Sequence, residues 1–217
     1  MTGGQLAARL TGTGRLADDL YLMAHHDLTG RPYLQPRAAG LGLAGALLAE
    51  LMLAGQIKAG PRRVVVAGRT PPADGLARLV LRQLAGEQHT TGEWLAFLAR
   101  TAAGNVAIRL GEAGYLTRVP ARRPWRGPRW VPADPDCAFA PFTRARAALD
   151  PSRPPAVTGA ALAGLAAACG LGPRLLACAP PGRRRPEDAA GGLPLGLRDL
   201  IAQTGAAVDS AVLARRT

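Results

Sequence analysis

Residues 41–55 read LGLAGALLAELMLAG. Leu43, Leu47, Leu48 and Leu51 recur at the spacing of one helical face, and the intervening Ala44, Gly45 and Ala46 allow other elements to pack closely. The pattern predicts a long core helix over Leu41–Ala54, ended by Gly55 as a C-cap. Upstream, Pro32 and Pro36 are expected to hold the chain extended before it. Further upstream, LADDLYLMAHH (Leu16–His26) reads as a helix with Asp18 and Asp19 in its first turn, where carboxylates suit the positive end of the dipole. Asp27–Gly30 ends it in a turn.

Downstream, Ile57–Ala59, a Gly60-Pro61 turn and Arg63–Ala67 predict a short hairpin rich in valine. Amphipathic helices are expected over Asp74–Gly86 and Gly92–Ala103, and a further one capped by Asn105 and stopped at Gly114. A second hairpin follows from Tyr115 to Val131, then helices over Phe139–Leu149, Thr158–Cys169 and Leu195–Ala214. Pro180–Gly192 has no periodicity and reads as a loop. The fold class is therefore mainly α, a single helical domain with short β-hairpins. With aromatics at 4% of the chain, the core must be built from Leu, Ala and Val.

The net charge is +12, and 26 of the 27 basic residues are arginine, Lys58 being the exception. Part of that excess reflects a composition rich in Ala, Gly, Pro and Arg. The remainder still raises the local concentration of polyanions or anionic lipid surfaces. No apolar run reaches the roughly 20 residues of a membrane span; Ala160–Ala168 comes nearest. Met1–Leu20 carries no signal-like apolar region. A cytoplasmic protein that meets a membrane only from one side is the expectation.

Little points to catalysis, to a metal or to a cofactor. The adjacent His25 and His26 project about 100° apart on a helix, so a helix-end role is expected rather than chelation. Cys137, Cys169 and Cys178 lack a C-x-x-C spacing and read as buried apolar residues. Gly40, Gly42 and Gly45 spell G-x-G-x-x-G, but without the strand that a dinucleotide site needs. Asp18, Asp19 and Glu112 have no partner legible in the sequence, and their expected role is dipole or cap chemistry.

RVPARRPWRGPRW (Arg118–Trp130) is more pointed. Arg118, Arg122, Arg123, Arg126 and Arg129 share thirteen residues with Trp125 and Trp130 on the second hairpin. Tryptophan favours the membrane interface, and arginine makes charge-assisted contacts with phosphate. The same set suits nucleic acid through stacking and phosphate contacts. It also reads as one core tryptophan with a solvated arginine rim. A winged-helix DNA-binding protein is the alternative, with Asn105–Gly114 as recognition helix and Arg109 as its long cationic reader.

The order of LADDLYLMAHHDLTGRPYL (16–34), GLGLAGALLAELMLAGQI (40–57), VAIRLGEAGYLTRV (106–119) and the Trp/Arg turn resembles the Golgi phosphoprotein 3 family in its actinobacterial branch. The likeness is strongest over Leu16–Leu149. It implies a mostly helical globular domain with a projecting hairpin, here Tyr115–Val131, that serves membrane contact and self-association. It also implies a non-enzymatic peripheral membrane adaptor that binds phosphatidylinositol 4-phosphate through a basic pocket and links Golgi membranes to glycosyltransferase tails and the cytoskeleton. Counting from Gly30, that pocket's tryptophan falls on Gln35 and its first arginine on Ala44; Arg100 matches one of the paired arginines before the hairpin and Ala103 replaces the other. Arg37 is expected to supply a cation beside Gln35. On this resemblance the organisation is a flexible N-terminus (1–15), the helical domain (16–179), a loop (180–194) and a C-terminal helix of the same domain (195–217). The expected partners are an anionic phospholipid membrane, a second copy of the chain and an unidentified protein cargo, with nucleic acid less favoured.

Overall fold

A computed structural model describes residues 13–60, 63–68, 70–120, 129–177 and 182–214. Among them lie ten helices and two separate two-stranded antiparallel hairpins, the mainly α architecture that the periodicity predicts. In chain order these are α1 (Leu16–Met23), α2 (Pro36–Leu53), β1 (Ile57–Ala59), β2 (Val64–Val66), α3 (Gly75–Gly86), α4 (Thr91–Leu98) and α5 (Ala102–Glu112). There follow β3 (Leu116–Val119), β4 (Arg129–Pro132), α6 (Pro135–Ala147), α7 (Val157–Ala168), α8 (Gly172–Leu176), α9 (Pro186–Gly191) and α10 (Leu195–Leu213).

The organising element is α2. It packs against α1, α4, α5, α7 and α10, and its leucines are buried except Leu53 at the end. The three glycines of the false dinucleotide pattern do packing work. A Cβ on Gly40 would lie 2.5 Å from the Ala99 carbonyl oxygen, one on Gly42 would meet Cys169 Sγ, and one on Gly45 would meet Thr204. Gln35, before Pro36, is extended as expected, but Pro36 itself already belongs to α2. It is the first residue of the helix, where its missing N–H costs nothing and its fixed φ suits the first turn.

By length and apolarity α2 is the one helix among the described residues that could cross a membrane, rather than the Ala160–Ala168 run. Of that stretch 72% is buried inside the fold, so in this structure it is the core helix. Around it, α4 starts with a capping box in which Thr90 accepts from the Glu93 N–H while the Glu93 side chain accepts from Thr90 N. That cap orients Trp94, which is 1% exposed. Asn105 is not a cap: α5 begins at Ala102, a turn earlier. Within the segment expected as a loop, Pro186–Gly191 forms a short helix that buries Ala189 and Ala190 against α7.

Four helices meet at one guanidinium. Arg109, on α5, is 7% exposed, and its Nε donates to Asp18 of α1 at 2.8 Å. The same side chain reaches Glu50 of α2 at 3.2 Å and the Asp74 cap of α3 at 3.0 Å. Glu50 in turn accepts from the Ala17 N–H in the first turn of α1, at 2.7 Å. Asp19, fully buried, pairs with Arg144 of α6 and accepts from Thr13. Asp18 and Asp19, expected to serve the helix dipole or a cap, stand in the first turn of α1 and are also buried ion-pair anchors.

Candidate anion and membrane contact surface

Three of the residues singled out in the sequence, Gln35, Arg37 and Arg100, lie at neighbouring element ends. Gln35 is the N-cap of α2 and Arg37 lies in its first turn, both exposed. The contact between Gly40 and the Ala99 backbone brings that turn against the end of α4, where Arg100 is exposed. Arg100 lies over the Phe97 ring at 5.9 Å, a cation–π contact that leaves its N–H edges toward solvent. The corner thus combines two guanidiniums with the positive end of an 18-residue helix, an arrangement that attracts anions. Ala44 is different: it is fully buried, so its side chain has no surface to offer a headgroup. Ala103 is half-buried.

The second hairpin is β3 paired with β4, with Arg118 opposite Trp130 and Val119 opposite Arg129. Leu116 is buried and seats the hairpin on the core beside α5. Trp130 is half-buried, with its ring against Gly111 of α5 and its carbonyl against Gly30. A Cβ on Gly30 would lie 2.0 Å from that oxygen, and its φ of +62° also suits glycine. Trp130 is therefore an anchor for the hairpin base rather than a free interfacial ring. Arg118 and Arg129 are exposed. Arg122, Arg123, Trp125 and Arg126 lie outside the described residues.

The histidines and cysteines behave as packing groups. His25 donates from Nδ1 to the Tyr21 carbonyl at 2.7 Å and stacks on the Tyr21 ring at 4.1 Å. Burial lowers its pKa, which favours the neutral ring. His26 instead turns toward Asp27, at 2.9 Å, so the adjacent pair does not converge. Cys137 and Cys169 are buried, and burial pushes the Cys169 thiol up to about 12, far from the range of a reactive thiolate. Cys178 lies outside the described residues.

The winged-helix reading fails on Arg109. The residue it needs as a base reader is buried and held by Asp18, Glu50 and Asp74. The exposed positions of α5 are Gly104, Ile108 and Glu112, none of them cationic. A helix so lined offers no donors for base edges and repels phosphate at Glu112.

Burial also explains the charge state of this network. Asp18 and Asp19 are raised to about 6, chiefly by burial, against the opposing pull of Arg109 and Arg144 respectively. Arg109 is shifted upward, because its carboxylates outweigh its burial. The two directions are compatible: one guanidinium gains from three carboxylates, while for the deeply buried Asp18 the cost of burial exceeds what Arg109 returns.

Comparison with known proteins agrees with the segment order. A family model described as Golgi phosphoprotein 3 (GPP34) matches residues 16–212, nearly the whole chain. No curated protein matches it.

Proposed function

We propose, from the premise that this chain belongs to the Golgi phosphoprotein 3 family, that it is a non-enzymatic peripheral protein that binds the anionic headgroups of a membrane from the cytoplasmic side. The observation that carries this reading is the exposed corner where the first turn of α2, Arg37 and Arg100 meet. Gln35 can add an amide contact there, whereas Ala44 acts only by packing beneath. The hairpin supplies the second contact, through Arg118, Arg122, Arg123, Arg126 and Arg129 with Trp125. Trp130 holds its base in place.

Basic residues near an anionic membrane contribute about 1 kcal/mol each and are screened within a Debye length, about 10 Å at 0.1 M salt. Binding of this kind is reversible and salt-dependent, and it discriminates headgroups poorly. Phosphatidylinositol 4-phosphate is the family's ligand. With Ala44 buried and Ala103 lacking a cation, selectivity for it over other anionic lipids is expected to be weak. Liposome flotation tests the reading. Recovery with anionic vesicles and not with neutral ones, falling steeply as salt rises, is the expected result. Equal recovery with both at low salt removes the lipid claim.

A further inference from the structure

Away from that corner, the end of α1, the turn after it, α6 and α8 enclose a cavity of about 430 Å³. Its walls include Leu22, Tyr33, Ala138, Phe139 and Phe142, and Arg146 and Arg174 line it as well. The volume lies within the range of small-molecule sites, and apolar walls with a few fixed polar groups are the usual make-up of such sites.

The two arginines are held differently. Arg146 donates from Nε to the Leu175 carbonyl at 3.0 Å and from Nη2 to the Arg174 and Ala177 carbonyls at 3.3 and 2.8 Å. It closes the carbonyl end of α8, and its carbon lies 5.9 Å from the Phe139 and Phe142 rings. Arg174 lies 3.5 Å above the centre of the Tyr33 ring. A guanidinium held against a ring keeps its N–H donors directed away from it. Arg174 is exposed, and among the described residues none of those donors has a hydrogen-bond acceptor, so they face solvent. An arginine stacked on a half-buried tyrosine is ordinary on its own. Here the covered ring is a wall of an apolar cavity that a second guanidinium also lines. The one carboxylate at the lining, Asp27, accepts from the Leu28 N–H and faces two guanidiniums, so positive charge is in excess there.

We infer that this cavity binds an amphipathic anion, a single phosphate or carboxylate group on an apolar chain, with the head on Arg174 and the chain along Phe139 and Phe142. Neither half suffices. A bare phosphate leaves the phenyl walls unused, and a neutral amphiphile leaves the Arg174 donors unmet. The inference does not rest on the membrane reading, because the anion could be carried by a bilayer lipid or by a free amphiphile.

The test is calorimetric titration of the full chain with octyl phosphate, beside octyl glucoside and inorganic phosphate. Octyl phosphate is expected to bind at one site, with both controls weaker by about tenfold or more. Arg174→Gln is expected to weaken octyl phosphate binding about tenfold or more, with an unchanged melting temperature. Phe139→Ser, at a residue 48% exposed and so safe for folding, is expected to weaken it as well, whereas Arg153→Gln, remote from both sites in role, leaves it unchanged. No binding of octyl phosphate, equal binding of octyl glucoside, or full binding by both Arg174→Gln and Phe139→Ser would overturn the inference. Vesicle flotation then separates the sources. If Arg174→Gln also loses anionic vesicles, the anion is a bilayer lipid; if vesicle recovery is unchanged, it is a free amphiphile. Octyl phosphate binding by a chain that floats with no vesicle keeps the cavity and removes the membrane reading.

Discussion

Arg109 is the residue on which most of the fold depends, because α1, α2, α3 and α5 each bring a group to its guanidinium. Removing one side of a buried ion pair strands its partners. Arg109→Met is therefore expected to cost about 3–5 kcal/mol. Urea denaturation at neutral pH measures this, and the loss should shrink in acid as the stranded carboxylates take up protons. Asp18 and Asp19 titrate with the opposite sense to ordinary surface carboxylates. Both are raised from 3.8 to about 6, so the folded state holds their protons more tightly than the unfolded chain does. Their contribution to stability is complete below 3.8 and is lost as pH rises through about 6. Asp18→Asn keeps the packing and removes that titration, so the variant should gain stability relative to the parent between about pH 4 and 7. A constant difference across that range would contradict this account of Asp18. The sequence could not reveal these pairs. Arg109 is 91 residues from Asp18 and Arg144 is 125 from Asp19, so neither lies within reach of local spacing rules.

At the scale of elements, the leucine period of α2 and the Gly55 stop (φ +67°) were legible, as were both hairpins and the long C-terminal helix. Each depends on local chemistry that a sequence carries openly. What escaped was set by tertiary packing. The helix was expected from Leu41, whereas it begins at Pro36, a turn earlier, where Ala38, Ala39 and Gly40 are buried. The short helix Pro186–Gly191 has little periodicity of its own, and burying Ala189 and Ala190 holds it. The corner was legible in part: Gln35, Arg37 and Arg100 are exposed, but Ala44 is inside, a distinction spacing alone does not carry. The close approach at Gly40 gives a direct check. Its added Cβ would press on the Ala99 backbone, so Gly40→Ala should cost about 1–3 kcal/mol. For a chain of this size that corresponds to a melting temperature lower by several degrees, about 2–4 °C per kcal/mol. The hairpin tryptophans should separate by role. Trp130→Ala is expected to lower the melting temperature, since its ring packs on Gly111. Trp125→Ala is expected to leave it unchanged and to weaken vesicle binding instead. The reverse pattern would refute the division of labour between them.

At the scale of the whole molecule, buried ion pairs hold the helical core of a chain whose net charge is +12. That excess draws the chain toward any polyanion, so net charge alone does not distinguish a membrane from a nucleic acid. Exposed cations also lie elsewhere, among them Arg31, Lys58, Arg78 and Arg153, but the α2–α4 corner and the hairpin carry those the membrane reading uses, and the outer face of α5 carries none. The account therefore turns on whether Arg37 and Arg100 act together on anionic headgroups. The direct measurement is vesicle partition of the Arg37→Gln, Arg100→Gln double variant against the parent, on anionic vesicles at 0.1 M salt. At about 1 kcal/mol per cation, partition should fall about 30-fold with an unchanged melting temperature. Partition equal to that of the parent would contradict the account.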